Sequence, residues 1–199
     1  EALGVDGLLV VEPYYNKPSQ EGMYQHFKAV AEAVSLPIIL YNIPGRCGVN
    51  MSPDLIARLS KIDNIVAVKE AAGSIEQVSQ IRQLVDDDFI IYSGDDSLTL
   101  PMMAVGGYGI ISVAGHVVGN QIHAMVDAYA AGNVKEAEAM HRKLYPIFKS
   151  LFITSNPVPV KFALKQQGFG NGKVRLPLVE ANEKEQEAVL KTMKDLELV

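Results

Sequence analysis

The sequence predicts an α/β fold in which parallel strands alternate with helices and close into a TIM-type barrel, followed by a C-terminal helical extension. Three observations carry this reading. Short runs rich in Val, Ile and Leu, bounded by turn residues, recur at 7–13, 37–43, 65–71, 89–94 and 109–115; runs without polar alternation are those of strands covered on both faces. Segments of helical period lie between them, as the crossovers of a parallel sheet require. Polar residues then gather at the C-terminal ends of successive runs: Tyr14, Tyr15 and Asn16, then Tyr41 and Asn42, then Lys69 and Glu70, then Gly94, Asp95 and Asp96. A barrel builds its site from the loops at that end. A doubly wound sheet would typically carry a glycine-rich phosphate loop after its first strand, and neither GxGxxG nor GxxxxGKS occurs.

Each element has its own signal. After the first run, Met23, Phe27, Val30, Ala31 and Val34 form one stripe of a helix over 20–34. After the second, Ser52 precedes Pro53, a cap followed by proline at a first helical position. After the third, Ser74 and Gln77 predict a capping box for a helix over 75–85, with Ile75, Val78, Ile81, Leu84 and Val85 on its apolar side. Beyond the fifth run the pattern is helical alone, over 121–131, 134–152, 158–167 and 183–196, punctuated by Asn156-Pro157 and Leu176-Pro177. The first of these completes the last strand–helix unit, so residues 1–132 are expected to form the barrel part and 133–199 the helical domain. The chain opens on Glu1 and reaches strand-like sequence within a few residues, which leads us to expect further chain before it.

Composition limits the function. At 199 residues and 48% hydrophobic, the chain can bury one substantial core. Its net charge of −5 is modest and its Lys and Arg are scattered, which argues against nucleic acid or an anionic membrane as partner and for a small molecule. No apolar run approaches the length of about 18 residues that a membrane span needs, so a cytoplasmic protein is expected. The single cysteine, Cys47, has no partner for an internal disulfide, and His26, His116, His123 and His141 show no ligand spacing, so no metal is expected.

Lys69 is the most informative residue, because it ends an apolar run, Ile65-Val66-Ala67-Val68, that reads as a strand buried on both faces. Burial shifts a lysine pKa down by up to about 3–5 units unless the ammonium is paired. A lysine so lowered is a nucleophile. The plain alternative is a strand-end lysine that reaches solvent or pairs with Glu70. Chemistry at a carbonyl also needs a proton relay and a clamp for the substrate carboxylate. Tyr41, on the preceding strand, can donate and accept a proton, and Arg46 can fork onto a carboxylate. Taken singly, Tyr41 reads as an ordinary strand aromatic and Arg46 as a loop cation.

Tyr41-Asn42-Ile43-Pro44-Gly45-Arg46-Cys47-Gly48 followed by Val68-Lys69-Glu70-Ala71 resembles the two signatures of the class I, lysine-dependent pyruvate aldolases, and within them the dihydrodipicolinate synthase family. The resemblance extends along the chain through Pro13-Tyr14-Tyr15-Asn16-Lys17-Pro18, Ser93-Gly94-Asp95-Asp96, Gly109-Ile110-Ile111-Ser112-Val113 and Asn156-Pro157-Val158-Pro159-Val160-Lys161. It implies a (β/α)8 barrel of which strands 4 to 8 are present. It also implies an enzyme, a lyase of lysine and diaminopimelate biosynthesis that joins pyruvate to aspartate semialdehyde. No cofactor is implied beyond the covalent Schiff base between Lys69 and pyruvate.

The same resemblance distributes the roles. Tyr41 would exchange protons, Tyr15 would extend the relay into a neighbouring subunit of a homotetramer built as a dimer of dimers, and Arg46 would hold the semialdehyde carboxylate. The main chain at Ile111 would contact pyruvate, Gly94 would leave room for substrate at the barrel mouth, and Tyr14 would lie near a lysine feedback site. The family's Gly-Thr-Thr-Gly-Glu segment has no counterpart here. Two other readings stay open: a related lyase acting on a sialic or keto-deoxy sugar acid, which usually lacks an arginine where Arg46 stands, and a non-catalytic homologue or fragment acting in assembly.

Overall fold

A computed structural model describes residues 2–199, which form two compact units, one running to Ile111 and the other from Ser112 to Val199. In the first, strands β1 (Leu8–Val11), β2 (Ile38–Asn42), β3 (Ile65–Glu70), β4 (Ile90–Ser93) and β5 (Gly109–Ile110) pair in parallel and in strict chain order. A doubly wound sheet reverses its order at a switch point. This one does not, and unbroken sequential order is that of the (β/α)8 barrel.

Helices α1 (Gln20–Glu32), α3 (Pro53–Leu59), α4 (Ile75–Leu84) and α5 (Thr99–Ala104) belong to the same unit, with a single turn, α2 (Pro44–Cys47), at the end of β2. Met23 and Phe27 of α1, Leu55, Ile56 and Leu59 of α3, Val78 and Ile81 of α4 and Met102 of α5 form one buried core with Ile38, Leu40, Val68 and Ile91 of the sheet. Full burial of each such large side chain contributes about 1.5–3 kcal/mol. Ser19, Ser52 and Ser74 cap the helices that follow them by accepting from Gly22 N, Leu55 N and Gln77 N. The box expected at Ser74 forms only in this half, because the Gln77 side chain turns to Asn50 and Glu70 instead. Leu84, expected on the apolar stripe of α4, is 45% exposed.

One irregularity decides which way Lys69 points. Ile38 pairs with Ile65 but Ile39 with Ala67, so β3 carries an extra residue, Val66. Strict alternation would put Ile65, Ala67 and Lys69 on one face. The bulge breaks that rule: Ile65 before it and Val68 after it both join the helix-side core, and Lys69 turns to the opposite face, abreast of Tyr41.

The run expected at 109–115 is a strand only over Gly109–Ile110, and the helix expected at 121–131 begins earlier. It is α6 (Gly115–Ala130), with a break in helical geometry at Val118. Glycines at 115 and 119 hide its start from propensity. The second unit continues with α7 (Val134–Ser150), α8 (Val158–Gln166) and α9 (Glu183–Asp195), close to the predicted spans. A full capping box opens α9, with Glu185 N donating to Asn182 and Asn182 N to Glu185. Among the described residues no helix is long and apolar enough to cross a membrane.

Candidate active site

Lys69 lies at the C-terminal end of β3 and is 8% exposed. Its Nζ stands over the ring of Tyr41, 4.3 Å from the centroid, because the two residues are direct partners across the β2–β3 ladder. Burial pushes the amine below the ordinary lysine range, against a weaker opposing pull from the Asp96 carboxylate. The alternative of a Lys69–Glu70 pair fails on geometry. Glu70 faces the helix side, where its carboxylate accepts from Asn42 Nδ2 at 2.9 Å, Gln77 Nε2 at 3.1 Å and Ala72 N at 2.6 Å.

Tyr41 is half-buried, and burial raises its phenol above the ordinary range, with Arg46 drawing it down and Glu12 pushing it up. The hydroxyl therefore keeps its proton. Arg46 belongs to the turn α2, which starts directly after β2 and closes on Gly48 in the left-handed region at φ 73°. Its positive charge acts on Tyr41 from that position.

Gly94 follows β4, and its N donates to Glu70 O, carrying the ladder one step past the strand. A Cβ there would lie 2.7 Å from Ala71 Cβ and 3.2 Å from both Cγ and Cε of Lys69. A side chain at 94 would thus crowd both Ala71 and the lysine stem. Ile111 N donates to Ser93 O, so the Ile111 main chain extends β5 on the same rim. The sheet thus brings together Lys69, Tyr41, Arg46, Gly94 and Ile111.

Tyr14 and Tyr15 lie on the loop after β1. They are 67% and 92% exposed. Tyr15 has φ 62° and centres a three-residue turn closed by Asn16 N donating to Tyr14 O. A bulky residue is uncommon in that region of backbone space.

A second row, one residue further along each strand, faces the helices: Glu12, Asn42, Glu70 and Ser93, each at most 1% exposed. Glu12 Oε1 accepts from Ile43 N at 2.8 Å, and the carboxyl also takes a hydrogen bond from the Cys47 thiol. Burial raises both carboxyls, Glu12 and Glu70, above the usual range. Glu12 escaped the sequence reading, although a charged residue inside Leu8-Leu9-Val10-Val11-Glu12-Pro13 was the available signal. Gln77 was read only as half of a helix cap, and Asn50, on a loop, gave no signal.

Fold and site together define a class: a parallel βα protein with a buried, partly desolvated amine and a phenol beside it at the C-terminal rim. Residues 1–196 match the model of the dihydrodipicolinate synthetase family. The chain belongs to that family. It is 58% identical over 200 residues to a 4-hydroxy-tetrahydrodipicolinate synthase of Desulforamulus reducens, covering 100% of this chain and 68% of that protein. The corresponding protein of Moorella thermoacetica is 60% identical over 199 residues, again with 100% and 68% covered. The crystal structure of a dihydrodipicolinate synthase from Cyanidioschyzon merolae with lysine bound superposes with a TM-score of 0.97 at 43% identity, covering 100% of this chain and 67% of that one.

Proposed function

We propose that this chain supplies the chemistry its relatives are named for, the Schiff-base condensation of pyruvate with L-aspartate 4-semialdehyde to 4-hydroxy-tetrahydrodipicolinate. One observation carries the reading: a lysine whose amine is buried and lowered lies 4.3 Å over a tyrosine ring, at the strand ends of a barrel-type sheet. A lowered pKa leaves more free amine at neutral pH, and only the free amine is nucleophilic.

Lys69 Nζ attacks C2 of pyruvate. The carbinolamine takes a proton on its hydroxyl, loses water and becomes an imine, and loss of a C3 proton gives the enamine. Enamine C3 then bonds to the aldehyde carbon of the semialdehyde. The semialdehyde amino group next attacks C2 and displaces Lys69, which closes the ring and frees the amine. Tyr41, kept protonated by its surroundings, is the donor and acceptor in these transfers.

Arg46 receives the carboxylate of the second substrate, since a guanidinium can hold a carboxylate through two parallel hydrogen bonds. The Ile111 main chain lies on the pyruvate side of the rim. Tyr15, exposed on the loop after β1, extends the relay in a partner subunit of a homotetramer built as a dimer of dimers, and Tyr14 beside it borders a regulatory lysine site. No cofactor enters this scheme. A coupled assay tests it: consumption of pyruvate with aspartate semialdehyde supports the reading, whereas release of pyruvate from a sialic or keto-deoxy sugar acid, with no condensation, replaces it.

A further inference from the structure

The geometry points to Glu12 and Glu70 as positioning residues that clamp the two ends of the loop carrying Arg46, and so set where the second substrate's carboxylate is held. The inference rests on the reading of Arg46 above. The loop leaves β2 at Ile43 and rejoins the core at Met51, which is fully buried. Ile43 N is held by Glu12 Oε1 at 2.8 Å. At the far end Asn42 Oδ1 accepts from Met51 N at 3.0 Å, and Asn42 Nδ2 donates to Asn50 Oδ1 at 2.8 Å and to Glu70 Oε2 at 2.9 Å. Gln77 closes the ring by bonding both Asn50 and Glu70.

Asn42 therefore has its orientation dictated by Glu70, and Met51 N is held by Asn42. Between the two anchors the chain makes one helical turn, with Cys47 N donating to Ile43 O and Gly48 N to Pro44 O. Arg46 rides on that turn. Side chains locked by packing and hydrogen bonds hold a site far more tightly than a loop alone does.

The two carboxylates differ in what they tolerate. Glu70 uses both oxygens as acceptors, three bonds in all, so an amide would set a donor against at least one donor. Glu12 holds Ile43 N through Oε1 alone, a bond that a glutamine oxygen can supply, and its carboxyl also bonds the Cys47 thiol of the same turn.

The test follows Glu12→Leu, Glu12→Gln, Glu70→Gln and Asn50→Ala through two readouts: amide exchange at Ile43 and Met51, and the apparent KM for the semialdehyde against the rate of imine formation with pyruvate. We expect Glu12→Leu to free Ile43 N and raise that KM by about ten-fold or more, with imine formation within about two-fold of wild type. Glu12→Gln should behave as wild type in both. Glu70→Gln and the solvent-exposed Asn50→Ala, which spares the core, should free Met51 N and raise the same KM. Unchanged KM in Asn50→Ala, equal effects of Leu and Gln at position 12, or parallel loss of imine formation and aldehyde use would overturn the clamp. Failure of the wild type to form an imine at Lys69 would instead overturn the proposed function, and amide exchange would still decide whether the carboxylates hold the loop.

Discussion

Gly94 and Lys69 are in such close approach that a single methyl group on the glycine would lie 3.2 Å from two carbons of the lysine stem and 2.7 Å from Ala71 Cβ. The absence of a side chain at 94 is thus what lets Lys69 run along the strand ends toward Tyr41. Gly94→Ala should destabilise the fold by about 1–3 kcal/mol, the usual cost of overfilling a packed site. It should also slow imine formation, because the lysine stem is the more flexible of the two obstacles. Thermal melting and the rate of borohydride-trapped labelling by pyruvate would check this. An unchanged rate would separate Gly94 from the placement of the amine.

Tyr41→Phe keeps the ring beneath Lys69 and removes only the hydroxyl. Packing should survive, and turnover should fall by about 100-fold or more, within the range of general acid–base catalysis. Steady-state kinetics beside a melting curve would measure both. Near wild-type turnover would remove Tyr41 from the relay.

Arg46→Ala removes a carboxylate clamp and leaves the nucleophile intact. Use of the semialdehyde should fall by about ten-fold or more while pyruvate labelling of Lys69 proceeds at close to the original rate. Equal losses in the two steps would make Arg46 structural.

The buried Glu12 predicts a pH-dependent stability difference. Unfolded, it gives up its proton near the ordinary value of 4.5, whereas burial holds the proton on to higher pH in the fold. Through that interval the folded state binds more protons than the unfolded one, so rising pH costs stability. Glu12→Gln does not titrate and keeps the acceptor for Ile43 N. Its melting temperature relative to wild type should therefore increase as pH rises above about 4.5. A constant or shrinking difference would contradict the assignment.

Much of this was legible in the sequence, and the exceptions have physical causes. The first four strands and most helices followed from apolar runs, caps and stripes, since each is a local pattern. Lys69, Tyr41 and Arg46 could be named as candidates because their types suit one chemistry and their segments resemble the family's signatures, and β2, β3 and the turn after β2 carry them. The bulge at Val66 was not: Val66 is apolar like its neighbours, and only pairing with β2 shows that it is the extra residue. Gly94 was read as room for substrate; its close approach to Ala71 and the Lys69 stem, both at the end of another strand, was not legible. The ring of Asn42, Asn50, Glu70 and Gln77 joins residues from separate elements, which no local period records.

The central claim is that Lys69 is the amine that attacks pyruvate, and reductive trapping tests it most directly. Borohydride reduces an imine to a stable secondary amine, so the protein incubated with pyruvate and then reduced should carry one three-carbon adduct, located by peptide mass spectrometry on Lys69. Labelling should become faster as pH rises through the lowered pKa of the amine. An adduct on Lys161 or Lys165, or no adduct on any lysine, would contradict the account.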